Sequence, residues 1–417
     1  MTAPLVFGRR RCHLLHSLSH TGCFALHLED SMFDFLSNNK IRFILFQVVA
    51  VLIVAYVAYY AISNLNYNIE RLGIRSGFDF LGIRAGFEIN ERLIAYTVDS
   101  SNLDAFYVGL INTIVVSVIG IIFATILGLI IGVARLSSNY LISKLAEVYV
   151  EIFRNLPILL QILFWYNLLL IVLPSPRNSF DFFDKVFLNL RGVYFPKPIF
   201  ESDFSWVLIA FFLGAFLPFL IKRFFSKKHD ETGIRQRTWH YYLLSLLGLP
   251  LGVYWLLGSP LHFDYPSLQG FNFDGGLSFS PEFLALVLAL SIYTATYISE
   301  AIRAGIESVD NGQKEAGLAM GLTQTQTLKF VLLPQALRVA IPPIINQYLN
   351  LTKNSSLAAA IGYSDLVGVF SGTVLNQVGQ AIEIILMTMA VYLTLSLLIS
   401  LGLNFVNHKM RIKGLNE

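Results

Sequence analysis

The sequence has few charged residues and lacks the motifs of the common hydrolytic sites. Only 14% of its 417 residues are charged, whereas 55% are hydrophobic, and its mean hydropathy is +0.61. This much apolar surface does not fit one soluble core. No Gly-Lys dipeptide occurs, so the phosphate-cradling GxxxxGK[ST] loop is absent, and no GxSxG or HExxH motif is present. We therefore expect a multispan membrane protein without catalytic residues of its own.

Cysteine is almost absent as well. Cys12 and Cys23 are the two cysteines, and both lie in an N-terminal tail, 1–40. Their spacing with the nearby histidines matches no zinc pattern, so we expect no metal site. Histidine and serine interrupt the apolar core that a signal peptide would need. We expect a disordered cytoplasmic tail, with Met32 as an alternative start of translation.

Long apolar runs are the dominant feature that the sequence does have. A membrane-spanning helix needs about 20 apolar residues. Five runs are near or above this length: 43–62, 106–134, 148–173, 283–302 and 381–405. Three weaker runs, 204–221, 241–257 and 331–351, are predicted as spans with re-entrant or interfacial segments as the alternative. The prediction is an all-α integral membrane protein of about eight transmembrane helices.

The distribution of Lys and Arg predicts the orientation of these spans. With the N-terminus inside, the cytoplasmic segments hold 19 Lys and Arg, and the opposite segments hold 9. Cytoplasmic loops carry such an excess, so both termini are predicted to be cytoplasmic. The bias is sharpest in the loop 222–237, for which an ordinary positive-inside loop is favoured over a binding site for anionic lipid or a partner.

The spans divide the chain into a first helix, a split core and an insert. The predicted segments are a first helix 41–63, a periplasmic segment 64–105, core 106–173, an insert with two helices 174–281, core 282–404 and a cytoplasmic tail 405–417. The periplasmic segment contains a tandem nonapeptide, LGIRSGFDF (72–80) and LGIRAGFEI (81–89). Two copies are too few for a solenoid. The repeat is expected to form an amphipathic element on the membrane surface or a solvated loop.

A polar stretch, 308–336, interrupts the second part of the core with the signals of two short helices. Asp310 is a candidate N-cap with Gln313 three residues later, and Gly321 suits a helix exit. Thr323 and Gln326 repeat the capping-box pattern, and Pro334 is expected to mark the turn into the next span. We call 308–336 the docking hairpin, because its small side chains and a carboxylate, Glu315, suit close approach by another protein.

The docking hairpin carries a resemblance to a known family. Glu315-Ala316-Gly317, three residues, Gly321, nine residues and then a Val-Leu-Leu333-Pro334 run resemble the EAA loop of ABC-importer permease subunits. Gly317 stands where many members have Ala. The segments 109–137, 148–166 and 351–366 resemble polar-amino-acid permeases. The long first half is similar to that of the general L-amino-acid permeases of Gram-negative bacteria and cyanobacteria, and residues 1–31 lie outside the resemblance.

This resemblance implies a type I ABC importer transmembrane fold: a five-helix core plus an N-terminal helix and a two-helix insert in the bacterial inner membrane. It implies two ATP-binding subunits that hold ATP and Mg, so that this chain has no cofactor. It also implies a second homologous permease, giving a heterodimer, and a periplasmic amino-acid-binding protein, with no nucleic-acid partner. The residues expected to couple to the ATP-binding subunits are Glu315, Ala316, Gly317, Gly321, Leu333 and Pro334.

Polar residues inside spans are costly unless they face the protein interior or a water-filled path. The densest group is a candidate path for an amino-acid substrate: Asn346, Asn350, Lys353, Ser355 and Ser356. Lys353 suits a carboxylate. Hydrogen bonding and packing between helices is the alternative for this group, and it is favoured for Asn112 and Gln161.

An ion-coupled secondary transporter that works without an ATPase is the alternative function. Such a protein is expected to show paired halves with broken helices or an intramembrane acid. We find no convincing inverted repeat, and Glu383, close to the outer end of the last span, is the only nearby acid. The sequence leaves open which amino acids are carried and which permease subunit holds the substrate.

Overall fold

The computed structural model describes residues 39–73, 76–232, 239–270 and 272–409. The expectations for the two cysteines and for the end of the C-terminal tail lie outside the described residues, as do the side chains of the basic loop 222–237. The chain divides into two units, Met1–Ser76 and Gly77–Glu417.

The first unit contributes one long helix, α1 (Asn39–Leu72). Its stretch Arg42–Leu65 has 24 residues with a mean hydropathy of 2.3, and its described side chains are exposed. A helix rises 1.5 Å per residue, so this stretch is long enough to cross a hydrocarbon core. The first predicted span, 43–62, therefore lies in an apolar helix that is long enough to cross a membrane.

The second unit contains twelve further α-helices within its described residues. In chain order they are α2 (Asn102–Arg135), α3 (Tyr140–Asn155), α4 (Ile158–Val172), α5 (Phe204–Thr232), α6 (Trp239–Leu243), α7 (Leu249–Leu256), α8 (Pro281–Glu307), α9 (Asn311–Ala319), α10 (Gln324–Thr327), α11 (Leu333–Asn354), α12 (Leu375–Val378) and α13 (Ala381–Lys409). π-helical turns join α6 to α7 (Leu244–Gly248) and α10 to α11 (Leu328–Leu332), and a third π-helical turn precedes α12 (Val367–Val374).

By length and apolarity, five helical stretches of the described chain can cross a membrane. They are Arg42–Leu65, Asn102–Arg135, Pro281–Glu307, Gln324–Ile361 and Ala381–Phe405. The bent pair α3–α4 makes a sixth if it counts as one span. The apolar helices of the insert, Phe204–Pro218 and Leu244–Leu256, are shorter than these, so the total of eight spans stays a prediction.

The predicted third span, 148–173, is not one straight helix. It begins inside α3 and continues as α4, and the two helix axes differ by 105°. Pro157 follows the last residues of α3 and N-caps α4, where its missing N–H costs no helical hydrogen bond. The side chain of Gln161 donates to the carbonyls of Phe153 (2.8 Å) and Leu156 (3.0 Å), so it satisfies acceptors that the bend leaves open.

The core is built on close packing between α2 and α8. Gly120, Ala124, Gly128 and Gly132 are spaced four residues apart on α2, and all are buried. A Cβ at Gly128 would lie 2.7 Å from Cβ of Ile298 on α8, and one at Gly132 would lie 3.1 Å from that of Ile302. Small residues at this spacing let two transmembrane helices approach closely, which explains why α2 and α8 pack along most of their length.

Residues 77–101, the part of the predicted periplasmic segment that belongs to the second unit, fold against this core as an irregular chain. Phe80, Ala85 and Ile89 are each 2% exposed, although they belong to the nonapeptide repeat. The expectation of an amphipathic surface element or a solvated loop was therefore wrong for these residues. The equivalent glycines of the two copies, Gly77 and Gly86, both have positive φ (118° and 75°), which glycine adopts without strain. The segment ends at Ser101, which N-caps α2 in a capping box with Asp104.

The insert contains eight short strands that the all-α description omits. They are β1 (Phe180–Phe182), β2 (Val186–Asn189), β3 (Gly192–Phe195), β4 (Lys197–Phe200), β5 (Leu261–Asp264), β6 (Ser267–Gln269), β7 (Asn272–Asp274) and β8 (Leu277–Phe279). All pairs are antiparallel: one sheet has the order β1-β2-β3-β8, and β4–β5 and β6–β7 form two-stranded ribbons. Because β8 directly precedes α8, the four-stranded sheet is fixed to the start of the central helix.

Candidate functional site

The docking hairpin has the local structure that its capping residues predict. The Asp310 side chain accepts a hydrogen bond from the Gly312 amide (2.6 Å) and begins α9. Gly321 follows α9 with φ 82°, a backbone conformation in the left-handed region. Thr323 and Gln326 form the predicted capping box, with bonds of 2.9 and 3.3 Å, at the start of α10. Local sequence alone therefore determines both helices of the hairpin.

The position of the turn into the next span differs from the expectation. Pro334 was expected to mark it, but the helical stretch runs from Gln324 to Ile361 and already contains Pro334. The π-helical turn Leu328–Leu332 accommodates the proline, which falls in the first positions of α11, where its missing N–H is not required. The chain reverses at 320–323 instead.

The residues predicted to couple to an ATP-binding subunit divide between two faces of the hairpin. Glu315, Ala316 and Gly321 are exposed, whereas Gly317 is buried against the second arm. A Cβ at Gly317 would lie 2.8 Å from Cγ2 of Thr327. Gly317 therefore holds the two arms of the hairpin together, and Glu315 and Ala316 present a surface.

Two large apolar side chains of the hairpin are also exposed, and the sequence interpretation did not single them out. Met320 is 84% exposed at the end of α9, and Phe330 is 62% exposed in the π-helical turn. Leu333, from the predicted coupling set, is 39% exposed, and Pro334 is half-buried. Exposed apolar side chains on the same hairpin as an exposed carboxylate are typical of a protein interaction surface.

The hairpin is closely attached to the transmembrane core. A Cβ at Gly305, near the end of α8, would lie 2.6 Å from the carbonyl oxygen of Ala336 and 2.9 Å from Cβ of Ala340 on α11. A cleft of about 760 Å³ lies beside the hairpin, and its lining includes Leu136, Glu307 and Lys314. Displacement of the hairpin therefore acts directly on α8 and α11.

The candidate substrate-path residues form two groups. Asn346, Asn350 and Lys353 are exposed and lie four and three residues apart, on one face of α11. Ser355 is fully buried and donates to the Thr352 carbonyl (2.7 Å), and half-buried Ser356 donates to the Lys353 carbonyl (2.7 Å). The structure thus brings three of the five together on a face that a ligand or partner can reach.

The polar residues for which packing was favoured are bonded within the chain. The Asn112 amide donates to the carbonyls of Glu91 (2.9 Å) and Ser364 (2.8 Å) and so connects three segments. Glu383, the acid weighed for ion coupling, accepts a hydrogen bond from the Gly77 amide at 2.8 Å. These contacts give both residues a structural role.

Sequence reasoning missed two acids, and each has a partner in a distant segment. Glu91 of the periplasmic segment accepts a hydrogen bond from the Ser280 amide at the start of α8 (2.5 Å). Burial raises the pKa of Glu91 to about 7; the hydrogen bond from Ser280 opposes the rise, and the nearby carboxylate of Glu282 adds to it. Glu300 lies within α8, in a predicted span, although Glu383 was expected to be the only nearby acid.

No group of His, Cys, Asp and Glu in the described part of the chain has the arrangement of a metal site. The expectation that the chain carries no metal or cofactor stays a prediction.

Comparison with known proteins identifies relatives along nearly the whole chain. Residues 243–412 match the family described as the binding-protein-dependent transport system inner membrane component. A putative amino-acid ABC transporter permease protein, YhdX, of Escherichia coli (strain K12) is 49% identical over 376 residues, which cover 90% of this chain and 96% of that protein. The general L-amino acid transport system permease protein AapQ of Rhizobium johnstonii is 48% identical over 375 residues, 90% of this chain and 94% of that protein.

A third relative is the glutamate/glutamine/aspartate/asparagine transport system permease protein BztB of Rhodobacter capsulatus. It is 39% identical over 409 residues, 90% of this chain and 95% of that protein. Among solved structures, that of an amino acid ABC transporter with histidines covers 74% of this chain and 94% of its own, with 20% identity and a TM-score of 0.44.

Proposed function

The chain belongs to the amino-acid ABC transporter permeases, and we propose that its docking hairpin is the surface through which ATP-binding subunits drive the import of L-amino acids. One observation carries this proposal: Glu315 and Ala316 are presented on the exposed side of α9, while Gly317 anchors that helix to the rest of the hairpin. A rigid, exposed helix of this kind transmits force to the spans that it joins.

Features of the hairpin and of its attachment to the core support docking to a folded partner. Small residues on the exposed side of α9 allow a close approach, and Met320 and Phe330 supply apolar area beside it. Glu315 supplies a carboxylate that can select the orientation of the partner. The close contacts of Gly305 with α11 give the hairpin a firm base.

The family implies ATP-binding subunits and a substrate-binding protein as partners. We propose that two ATP-binding subunits hold the ATP and Mg, and that this chain pairs with a second, different permease. The excess of Lys and Arg in 222–237 and the other segments expected inside supports a cytoplasmic position for the hairpin and both termini. On this arrangement the binding protein delivers its amino acid at the opposite side of the inner membrane.

We place the amino-acid path on the face of α11 that carries Asn346, Asn350 and Lys353. Polar side chains exposed on a membrane-spanning helix are costly against lipid, so this face suits a second permease or a water-filled path. The amides can bond an ammonium or carboxylate group, and the ammonium of Lys353 can pair with a substrate carboxylate. Ser355 and Ser356 support the helix end through their backbone bonds rather than by contact with substrate.

The proposed mechanism is a switch between two packed states of the spans. Closure of the ATP-binding subunits displaces α9. The displacement passes into the core through α8 and α11, because these two helices pack against each other beside the hairpin. The loaded binding protein and ATP each favour one state, and that differential affinity sets the direction of transport.

The experiment is ATP-driven uptake by the complete transporter in proteoliposomes, with the substitution Glu315→Lys. Reversal of the docking charge is expected to lower uptake of radiolabelled amino acids by about tenfold or more, because it places like charge or an unpaired charge at the interface. Membrane insertion is expected to be unchanged, since Glu315 is exposed.

The matched control is Glu151→Lys, which reverses the charge of an exposed carboxylate on α3, outside the hairpin. Uptake by this variant is expected to match that of the unmodified chain. Equal uptake by the Glu315→Lys variant and the unmodified chain would refute the docking role of α9.

A further inference from the structure

A group of charged side chains lies where α2 and α8 end, next to the docking hairpin, and the docking surface does not include it. The carboxylate of Glu300 on α8 pairs with Arg135, the last residue of α2, and with Arg303, one turn further along α8 (2.5 Å). Arg303 also pairs with Glu307. Glu300 therefore connects two guanidinium groups that belong to two helices.

The pair between Arg135 and Glu300 is shielded from solvent, unlike most surface pairs. The side chain of Arg135 is 15% exposed and that of Glu300 is 30% exposed, whereas Lys144 and Glu147 of α3 are 50% and 41% exposed in their own pair. Loss of one member of a partly shielded pair leaves a charge without its partner, and this costs more than loss of an exposed pair.

The path from the docking hairpin to this group is short and bonded. α8 ends at Glu307, and Asp310 already begins α9. The Ser308 hydroxyl donates to the Gly305 carbonyl (2.8 Å), and the Val309 amide donates to the Ile306 carbonyl (3.3 Å). A displacement of α9 therefore reaches the last turn of α8 without a long flexible linker.

The junction of α2 with α3 is fixed to the same group. Arg135 pairs with Glu300, and the Arg135 carbonyl accepts a hydrogen bond from the Ser143 hydroxyl of α3 (3.0 Å). Closer to the middle of α2, Gly128 and Gly132 pack against Ile298 and Ile302 of α8. This packing opposes separation of the two helices. The ion pair also fixes the rotation and the axial position of one helix end relative to the other.

We propose that Glu300 is a positioning residue that locks α2 to α8 at the hairpin end, so that force applied to α9 moves both helices as one body. This inference rests on the proposed function. Without the lock, α8 follows the hairpin and α2 follows it less completely, so that ATP hydrolysis continues with less transport for each ATP consumed.

The test is Glu300→Gln in the complete transporter, with uptake and ATP hydrolysis measured on the same proteoliposomes in the presence of the loaded binding protein. Glutamine keeps the shape of the side chain and removes its charge. The number of amino acids imported per ATP is expected to fall by about 3- to 30-fold, within the range for residues that carry coupling between sites. ATP-binding subunits are expected to co-purify in normal amount.

Two further variants separate positioning from a general structural defect. The Arg135→Gln variant is expected to lower the same ratio, and the double variant Arg135→Gln/Glu300→Gln is expected to be no worse than Glu300→Gln, because both residues act through one contact. The control is Asp99→Asn, which breaks the exposed pair with Arg84 and is expected to leave the ratio unchanged.

The outcomes are distinct. An unchanged ratio in Glu300→Gln, or additive losses in the double variant, would overturn the lock. Parallel losses of uptake and ATP hydrolysis with reduced recovery of the complex would also overturn it, since they indicate a structural role only. Absence of any ATP-binding subunit from the preparation of the unmodified chain would instead refute the proposed function.

Discussion

Polar residues of the spans fall into two groups that differ in their partners. Asn112 and Gln161 are buried, and each amide donates to two backbone carbonyls of its own chain. Asn346, Asn350 and Lys353 are exposed on α11, and their side chains make no polar contact within the part of the chain that the structure describes. Because an unpaired polar group is costly in a membrane, the second group points to a partner or substrate outside this chain.

The comparison explains why residue type alone does not identify a transport path. Both groups contain amides in predicted spans, and only the three-dimensional contacts separate them. Buried amides whose N–H groups donate within the chain fix one packing arrangement, whereas exposed ones remain able to exchange partners. Stability is therefore expected to depend on the first group, and transport on the second.

The largest effect on stability is expected for Asn112→Leu. It leaves the carbonyls of Glu91 and Ser364 without their donor, at a cost of about 2–4 kcal/mol for the two acceptors. The measurement is thermal unfolding of the purified complex in detergent. Asn346→Leu is the matched control, and its midpoint is expected to stay close to that of the unmodified chain. Equal losses for the two variants would remove the distinction between the groups.

The next effect concerns transport rather than stability. Lys353→Met removes the ammonium group from the exposed face and retains a long side chain. Uptake is expected to fall by about 10- to 100-fold, the range for loss of a hydrogen bond to a charged group. The thermal midpoint of the complex is expected to stay unchanged, since Lys353 is exposed. A lowered midpoint with normal uptake per folded complex would assign Lys353 to the structural group.

A smaller effect is expected from Glu91, which joins the periplasmic segment to α8 through Ser280. Its pKa of about 7 in the folded protein exceeds the ordinary value of 4.5, so the folded state binds more protons between these pH values. Stability is therefore expected to fall as pH rises from about 4.5 to about 7, by about 2–3 kcal/mol.

The check is the thermal midpoint of the complex at several pH values. Glu91→Gln is expected to flatten this dependence, because glutamine resembles the protonated acid. Glu88→Gln, at an exposed neighbouring position, is the control and should leave it unaltered. An identical pH profile in the Glu91→Gln variant and the unmodified chain would contradict the assignment.

Features set by local sequence could be predicted, and those set by distant contacts could not. Helix caps depend on residues a few positions away, so they can be recognised in the sequence. This holds for the caps at Asp310 and Thr323 and for the helix end at Gly321. Hydropathy likewise identified the long apolar helices. Glu91 was missed because its partner Ser280 lies 189 residues away. Glu300 is visible inside the predicted span 283–302, but its pairing with Arg135, 165 residues away, is not.

Two expectations failed for physical reasons of a different kind. The bend at Pro157 has a local signal in the proline, but hydropathy continues through it, and a window of apolar residues does not detect a change of direction. The nonapeptide repeat is amphipathic enough for a surface segment. Phe80 and Ile89 are nevertheless buried, because they pack among the apolar side chains of the core. The sequence also could not separate the exposed substrate-path residues from the backbone-bonded ones, because that distinction depends on three-dimensional contacts.

The most direct test of the central claim is affinity purification of this chain in mild detergent from its native host. The co-purifying subunits are identified by mass spectrometry, and ATP hydrolysis is assayed with and without amino acids and their binding protein. The account predicts an ATP-binding subunit and a second permease in the eluate, with ATP hydrolysis that Glu315→Lys abolishes. Recovery of the chain alone, without ATP hydrolysis, would contradict it.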